Sequence, residues 1–253
     1  MFYRDLGRPY PRESCDEIRR RGAVPILSLE LWHWGRGRRA GSRLPAIVAG
    51  EYDAFFRAWA RDAKADGAPV LLRFGFEMNG EWFSWSGDPA LFVRAWRRAH
   101  GIFREEGADH VTWVWAPNVQ SAPDVPANSM HAYYPGDDVV DRVALDGYNF
   151  GDHHDEWHRW QSFAEVFDGP LGELLARYPG KPVLIAETGC APGDPEARAR
   201  WIRDAHAWLV RRPRVEGIVW FHYDKSRQRE PDWRIDATPG ALEAFNETFA
   251  APR

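Results

Sequence analysis

Short apolar runs alternate with longer amphipathic stretches along the whole chain. The runs cover 23–30 (AVPILSLE), 68–77 (APVLLRFGFE), 110–118 (HVTWVWAPN), 141–149 (DRVALDGYN), 181–189 (KPVLIAETG) and 216–224 (EGIVWFHYD). Most are continuously hydrophobic rather than alternating, which suits strands buried on both faces of a parallel sheet. Between them, residues 51–67, 88–107, 161–180 and 194–212 carry helical periodicity. Asp88-Pro89 and Asp194-Pro195 read as an N-cap followed by a first-turn proline, and Gly107 and Gly180 as helix stops. Alternation of this kind predicts an α/β fold, a TIM (β/α)8-type barrel formed as a single domain over residues 1–253. Six runs are clear strands and Phe2–Leu6 is a candidate seventh, so the barrel is expected to lack or shorten its first strand.

The ends of these runs carry the chemistry. Glu30-Leu31-Trp32, Glu77, Asn118, Tyr148-Asn149, Glu187 and His222-Tyr223-Asp224 each follow or close one. In a barrel those ends form the face that bears the active site. Cleavage of a glycosidic bond needs two carboxyl groups flanking it, about 5–5.5 Å apart when configuration is retained. Glu77 and Glu187 are read as directly closing their strands and so as the candidate pair, with Glu30 a third by position. The loop after Glu77 is rich in tryptophan, and apolar walls favour a carboxyl that keeps its proton. Tyr148 is placed to donate a hydrogen bond to Glu187 and keep it ionised. The plain alternative is a pair of solvated loop glutamates.

Composition adds one unusual number, 14 tryptophans in 253 residues. Indole rings stack on sugar faces, whereas a core that uses them must find a partner for each N–H. A net charge of -4 gives no basis for a nucleic-acid or membrane partner. No segment reaches the ~20 apolar residues of a membrane span, and MFYRDLGRPYPRES holds no apolar leader region. Whether Cys15 and Cys190 pair is open. The run Asp152–His158 sets His154 and His158 four residues apart but lacks the order of a zinc helix, and Gly35–Arg39 lacks a phosphate-loop pattern; both read as polar loops. No metal and no cofactor are expected.

LLRFGFEMNGEWFSW (71–85), followed in order by VTWVWAPN (111–118), YYPGDDVVDRVALDGYN (133–149), KPVLIAETG (181–189) and VWFHYD (219–224), resembles glycoside hydrolase family 26. That family holds β-mannanases and some β-glucanases and β-xylanases, and the likeness runs from about Pro25 to Phe245. It implies a retaining hydrolase of β-linked polysaccharide, first of all an endo-β-1,4-mannanase, acting as a secreted enzyme, with a cytoplasmic one as the alternative. By the resemblance Glu77 is the acid/base and Glu187 the nucleophile. Tyr148 matches the tyrosine that touches the nucleophile, Trp82 a tryptophan of the cleft, and Trp220 the platform beneath the sugar. Arg73, Asn79 and Asn118 fall in motif positions that shape the site, and Glu30 and Trp32 join them as substrate-binding candidates by position. Phe76 stands where the family has histidine, which leaves open which β-glycan is bound. A non-catalytic carbohydrate-binding protein on the same scaffold, a transglycosylase using the same two glutamates, and the oligomeric state also stay open.

Overall fold

The computed structural model describes residues 1–35, 41–153 and 158–249. Seven strands among them follow one another in space as in sequence: β1 (Phe2–Asp5), β2 (Ile26–Glu30), β3 (Val70–Phe74), β4 (Val111–Trp115), β5 (Arg142–Asn149), β6 (Val183–Cys190) and β7 (Val215–Trp220). β1–β2, β2–β3, β3–β4, β4–β5 and β6–β7 pair in parallel, as the apolar runs predict. The helices are α1 (Arg12–Arg20), α2 (Leu44–Ala49), α3 (Asp53–Asp66), α4 (Pro89–Glu106), α5 (Phe163–Arg177), α6 (Pro195–Val210) and α7 (Pro239–Thr248). This is the α/β architecture of TIM type with seven strands, and Phe2–Asp5 is the seventh, in register with Leu27–Glu30. Internal contacts divide the chain into two compact units, 1–143 and 144–253, the division falling inside β5. Each is described in turn.

In the first unit, Phe74 at the end of β3 lies within ring contact of Phe56, Phe92, Trp96 and Trp113. Three buried indoles find the acceptors that burial demands: Trp59 Nε1 donates to Arg8 O at 2.8 Å, Trp85 Nε1 to Phe76 O at 2.8 Å and Trp96 Nε1 to Val139 O at 3.1 Å. Both sequence-read caps of α4 form: Asp88 accepts from Leu91 N at 2.9 Å, and Gly107 ends the helix at φ +76°. α1 and α2 escape sequence reading because they are short, and α1 is built mostly of charged residues.

Ion pairs from Arg19 and, at 4.0 Å, Arg12 to Asp66 tie α1 to α3. Asp66, with 2% of its side chain exposed, accepts from Arg19 at 2.7 and 3.0 Å and from the Tyr10 hydroxyl at 2.8 Å. Burial alone raises the Asp66 carboxyl, but these donors outweigh it and hold the group below the ordinary aspartate value.

In the second unit, every residue of β6 is buried. The β6–β7 pairing shifts register twice, between Val183 and Leu184 and between Ile185 and Thr188. Asp194 caps α6 by accepting from Glu196 N and Ala197 N. α5 opens on a capping box, Ser162 with Glu165, and ends at Arg177, so Gly180 is not its stop. Cys15 and Cys190 are both buried free thiols. No helix of the described residues is long and apolar enough to cross a membrane. Arg36–Arg39 of the glycine-rich stretch, and His154–Trp157 of the histidine motif, lie outside the described residues.

Asp66→Asn is expected to lower stability by about 2 kcal/mol at neutral pH, because it removes the buried carboxylate to which Arg19 and Tyr10 donate. The folded carboxyl is depressed, so its contribution is present above about pH 4 and is lost as pH falls through the folded value. Urea unfolding of both proteins at several pH values checks this: the gap between them should narrow on acidification.

Candidate active site

In the first unit, β3 ends at Phe74 and two further residues, Gly75 and Phe76, lead to Glu77. The chain turns there through two left-handed conformations, Gly75 at φ +57° and Glu77 at φ +50°. A Cβ on Gly75 would stand 2.7 Å from the Leu31 side chain, so glycine is required twice over. Glu77 has a Cβ and bears the strain of a region that non-glycine residues rarely occupy, about 1–3 kcal/mol. The turn is held by Glu77 N donating to Ala116 O at 2.8 Å and Gly80 N donating to Glu77 O at 3.0 Å. Glu77 therefore does not close its strand; a strained turn presents it. Its side chain is 7% exposed and accepts a hydrogen bond from Trp82 Nε1. A side chain at Gly80 would run into the Trp82 ring.

Several expected sugar contacts are structural. Asn79 is fully buried: its Nδ2 donates to Asn118 O at 2.9 Å and lies within reach of Gln120 O and Ser121 Oγ, while its Oδ1 accepts from Asn118 N at 2.8 Å. It is a strut for the loop after β4. Asn118 Oδ1 in turn accepts from Gln120 N at 2.9 Å. Arg73 is also fully buried, donates to Ser28 Oγ at 3.0 Å, and sets its guanidinium 4.6 Å from the centre of the Phe76 ring. Phe76 is enclosed by Tyr3, Phe83 and Trp85. Trp32 meets Phe83 and Trp85 edge-on at 5.5 and 5.0 Å. Arg73, Asn79 and Phe76 thus have no free surface for a sugar, whereas Trp32 and Glu30 are half-buried. Glu30 accepts from Trp34 Nε1, and the Trp34 ring, 44% exposed, is an aromatic surface the sequence reading passed over.

In the second unit, Glu187 lies inside β6 rather than at its end, since the strand continues to Cys190. It is 4% exposed and accepts from the Tyr148 hydroxyl at 2.7 Å, which fixes the orientation of the carboxylate. Asp146 is fully buried, with a carboxylate oxygen within 4.8 Å of one on Glu187. It went unread although strand alternation sets it on the same face as Tyr148, two residues on. The Tyr148 ring touches Trp233 at 4.8 Å and Phe221 at 6.1 Å. Trp220 points elsewhere: its ring packs against Trp201, Phe245 and Phe249 on the helix side of β7. The platform expected at Trp220 is therefore corrected. Alternation along the chain turns Phe221, not Trp220, toward Tyr148.

Asn79→Ala is expected to cost about 2 kcal/mol in chemical denaturation, because it leaves the Asn118 amide and nearby carbonyls without partners. A residue whose role was to contact sugar would leave stability unchanged.

Known proteins match this chain along its length. The profile of Glycosyl hydrolase family 26 matches residues 48–181, just over half of the chain. Endoglucanase H of Acetivibrio thermocellus is 32% identical over 252 residues, covering 96% of this chain and 26% of that protein. Mannan endo-1,4-beta-mannosidase A and B of Caldalkalibacillus mannanilyticus is 34% identical over 114 residues, 40% of this chain and 21% of the relative. The chain spans about a quarter of the length of these relatives. Among solved structures, a modular endo-beta-1,4-mannanase from Cellulomonas fimi superposes with TM-score 0.69 at 20% identity, over 95% of this chain and 57% of that one. A GH26 beta-mannanase from Bacteroides ovatus gives 0.65 at 19%, over 98% and 77%. These two likenesses show the shared fold. The chain belongs to glycosyl hydrolase family 26.

Proposed function

We propose that this chain hydrolyses a β-linked polysaccharide with retention of configuration, Glu77 acting as general acid and base and Glu187 as nucleophile. The observation that carries the reading is the 2.7 Å bond from Tyr148 to a carboxylate buried within β6. A buried carboxylate needs such a donor, and a nucleophile needs a fixed direction of attack. In the first step Glu187 attacks the anomeric carbon while Glu77 gives its proton to the departing glycosidic oxygen, leaving a covalent glycosyl ester. In the second, Glu77 takes a proton from water, the water oxygen attacks the same carbon, and Glu187 leaves. The indole donor from Trp82 orients Glu77 within an apolar loop.

The first substrate on this reading is β-1,4-mannan, cut internally, with residues 1–253 as one catalytic domain working outside the cell, where such polymers are met. A second reading has a specific basis. The match to Endoglucanase H covers 96% of this chain, the match to the mannosidase 40%. Together with Phe76 in place of histidine, that makes a β-glucan the rival substrate.

Glu77→Ala and Glu187→Ala are each expected to lower release of reducing sugar at least about a thousandfold. Azide should restore turnover of an aryl β-glycoside in both, giving the α-glycosyl azide with Glu187→Ala and the β-glycosyl azide with Glu77→Ala. Full activity in either variant would refute the assignment. The wild-type pH profile should be bell-shaped, as an acid and a base acting together require, and its basic limb should vanish in Glu77→Ala with an activated leaving group. Parallel assays on β-1,4-mannan and mixed-linkage β-glucan separate the two substrates.

A further inference from the structure

We infer that Trp233 is a positioning residue for the nucleophile: it fixes the Tyr148 ring so that the hydroxyl reaches Glu187, and Arg198 pins the loop that delivers it. The inference rests on Glu187 being the nucleophile.

Trp233 belongs to the excursion after β7 that returns to α7, a stretch whose only helices are two three-residue turns among the described residues. Loop side chains normally face solvent, yet Trp233 is 2% exposed. Its ring lies 4.8 Å from that of Tyr148 and 5.0 Å, edge to face, from Phe150. Gly189, two residues past Glu187, records the closeness of this packing. A Cβ there would lie 2.9 Å from Trp233 and 3.2 Å from Tyr148. No positive φ asks for glycine at 189; the two aromatic rings do.

The loop is tied down to hold this ring. Trp233 N donates to Tyr223 O at 3.1 Å, an antiparallel bridge joins Asp224 and Asp232, and Ile235 N donates to His222 Nδ1 at 3.1 Å. From α6, Arg198 donates to Arg234 O at 2.8 Å, the carbonyl next to Trp233. Arg198 is 2% exposed, and its Nε and Nη1 have no hydrogen-bond partner among the described residues. Burying a guanidinium this incompletely satisfied is unfavourable. Its one clear bond goes to the backbone that carries Trp233. The chain of contact thus runs from Arg198 through the Arg234 carbonyl and Trp233 to Tyr148 and Glu187.

A residue that acts through Tyr148 has little left to do once that hydroxyl is gone, so a double-mutant cycle is decisive. On β-1,4-mannan or mixed-linkage β-glucan, whichever the wild type cuts, Trp233→Leu is expected to lower kcat about tenfold or more with KM within about twofold. Trp233→Phe should keep most of the activity. In a Tyr148→Phe background Trp233→Leu should cost less than about threefold further. Effects that multiply, or a rise in KM at unchanged kcat, would overturn the inference. If Trp233→Leu does not fold, Gly189→Ala pushes on the same two rings and must show the same dependence on Tyr148; independence there overturns it equally. Azide rescue of Glu187→Ala reports separately on the nucleophile. Rescue without coupling removes only the role of Trp233, whereas a fully active Glu187→Ala removes the mechanism itself.

Discussion

A carboxylate taken out of water must be given a hydrogen-bond donor, and that constraint orders much of this protein. Glu77 and Glu187 are both nearly buried, and each is met by an aromatic donor, Trp82 Nε1 and Tyr148 Oη. Tryptophan and tyrosine are the side chains that put a polar tip on an apolar body. They satisfy an acid while keeping its surroundings largely dry. The glycines then follow from the rings. Gly80 makes room for Trp82, and Gly189 for Tyr148 and Trp233. The left-handed backbone at Glu77 is the remaining cost, carried by a turn bonded to Ala116.

The same logic divides the tryptophans. Trp59, Trp85, Trp96, Trp113, Trp115, Trp201, Trp208 and Trp233 are buried, so their abundance reflects a core built of indoles as well as any sugar surface. Trp82, Trp32 and Trp34 are half-buried or exposed, with ring surface left for a ligand. Phe76 has become part of an aromatic cluster with Tyr3, Phe83 and Trp85, beneath the Arg73 guanidinium. A histidine there would bring a polar ring into that cluster. Phenylalanine keeps the cluster apolar and is itself 3% exposed.

Strands and long helices were legible because their patterns are strong: runs such as APVLLRF and VTWVW, and proline after aspartate at 88–89 and 194–195. α1, α2 and α7 were missed because none has a long apolar period. The motifs around Glu77, Glu187 and Tyr148 stood out near strand ends, yet Glu77 lies three residues past β3 and Glu187 three residues before the end of β6. Side-chain direction was the harder question. Asn79 and Arg73 share a motif with Glu77, yet they face the interior and hold loops and strands together. Trp220 and Phe221 are adjacent and point opposite ways, and sequence alone did not say which of them faces Tyr148. Trp233 could not be read at all, since its role depends on a loop folding back over a glycine 44 residues earlier.

The account turns on Glu187 forming the covalent bond. Incubation with an activated 2-deoxy-2-fluoro β-glycoside should trap that ester, and mass spectrometry of the digested protein locates it. The account predicts one sugar per chain, on the peptide that contains Glu187, with inactivation in step with labelling. Attachment to any other carboxylate, Asp146 or Glu77 included, would contradict it.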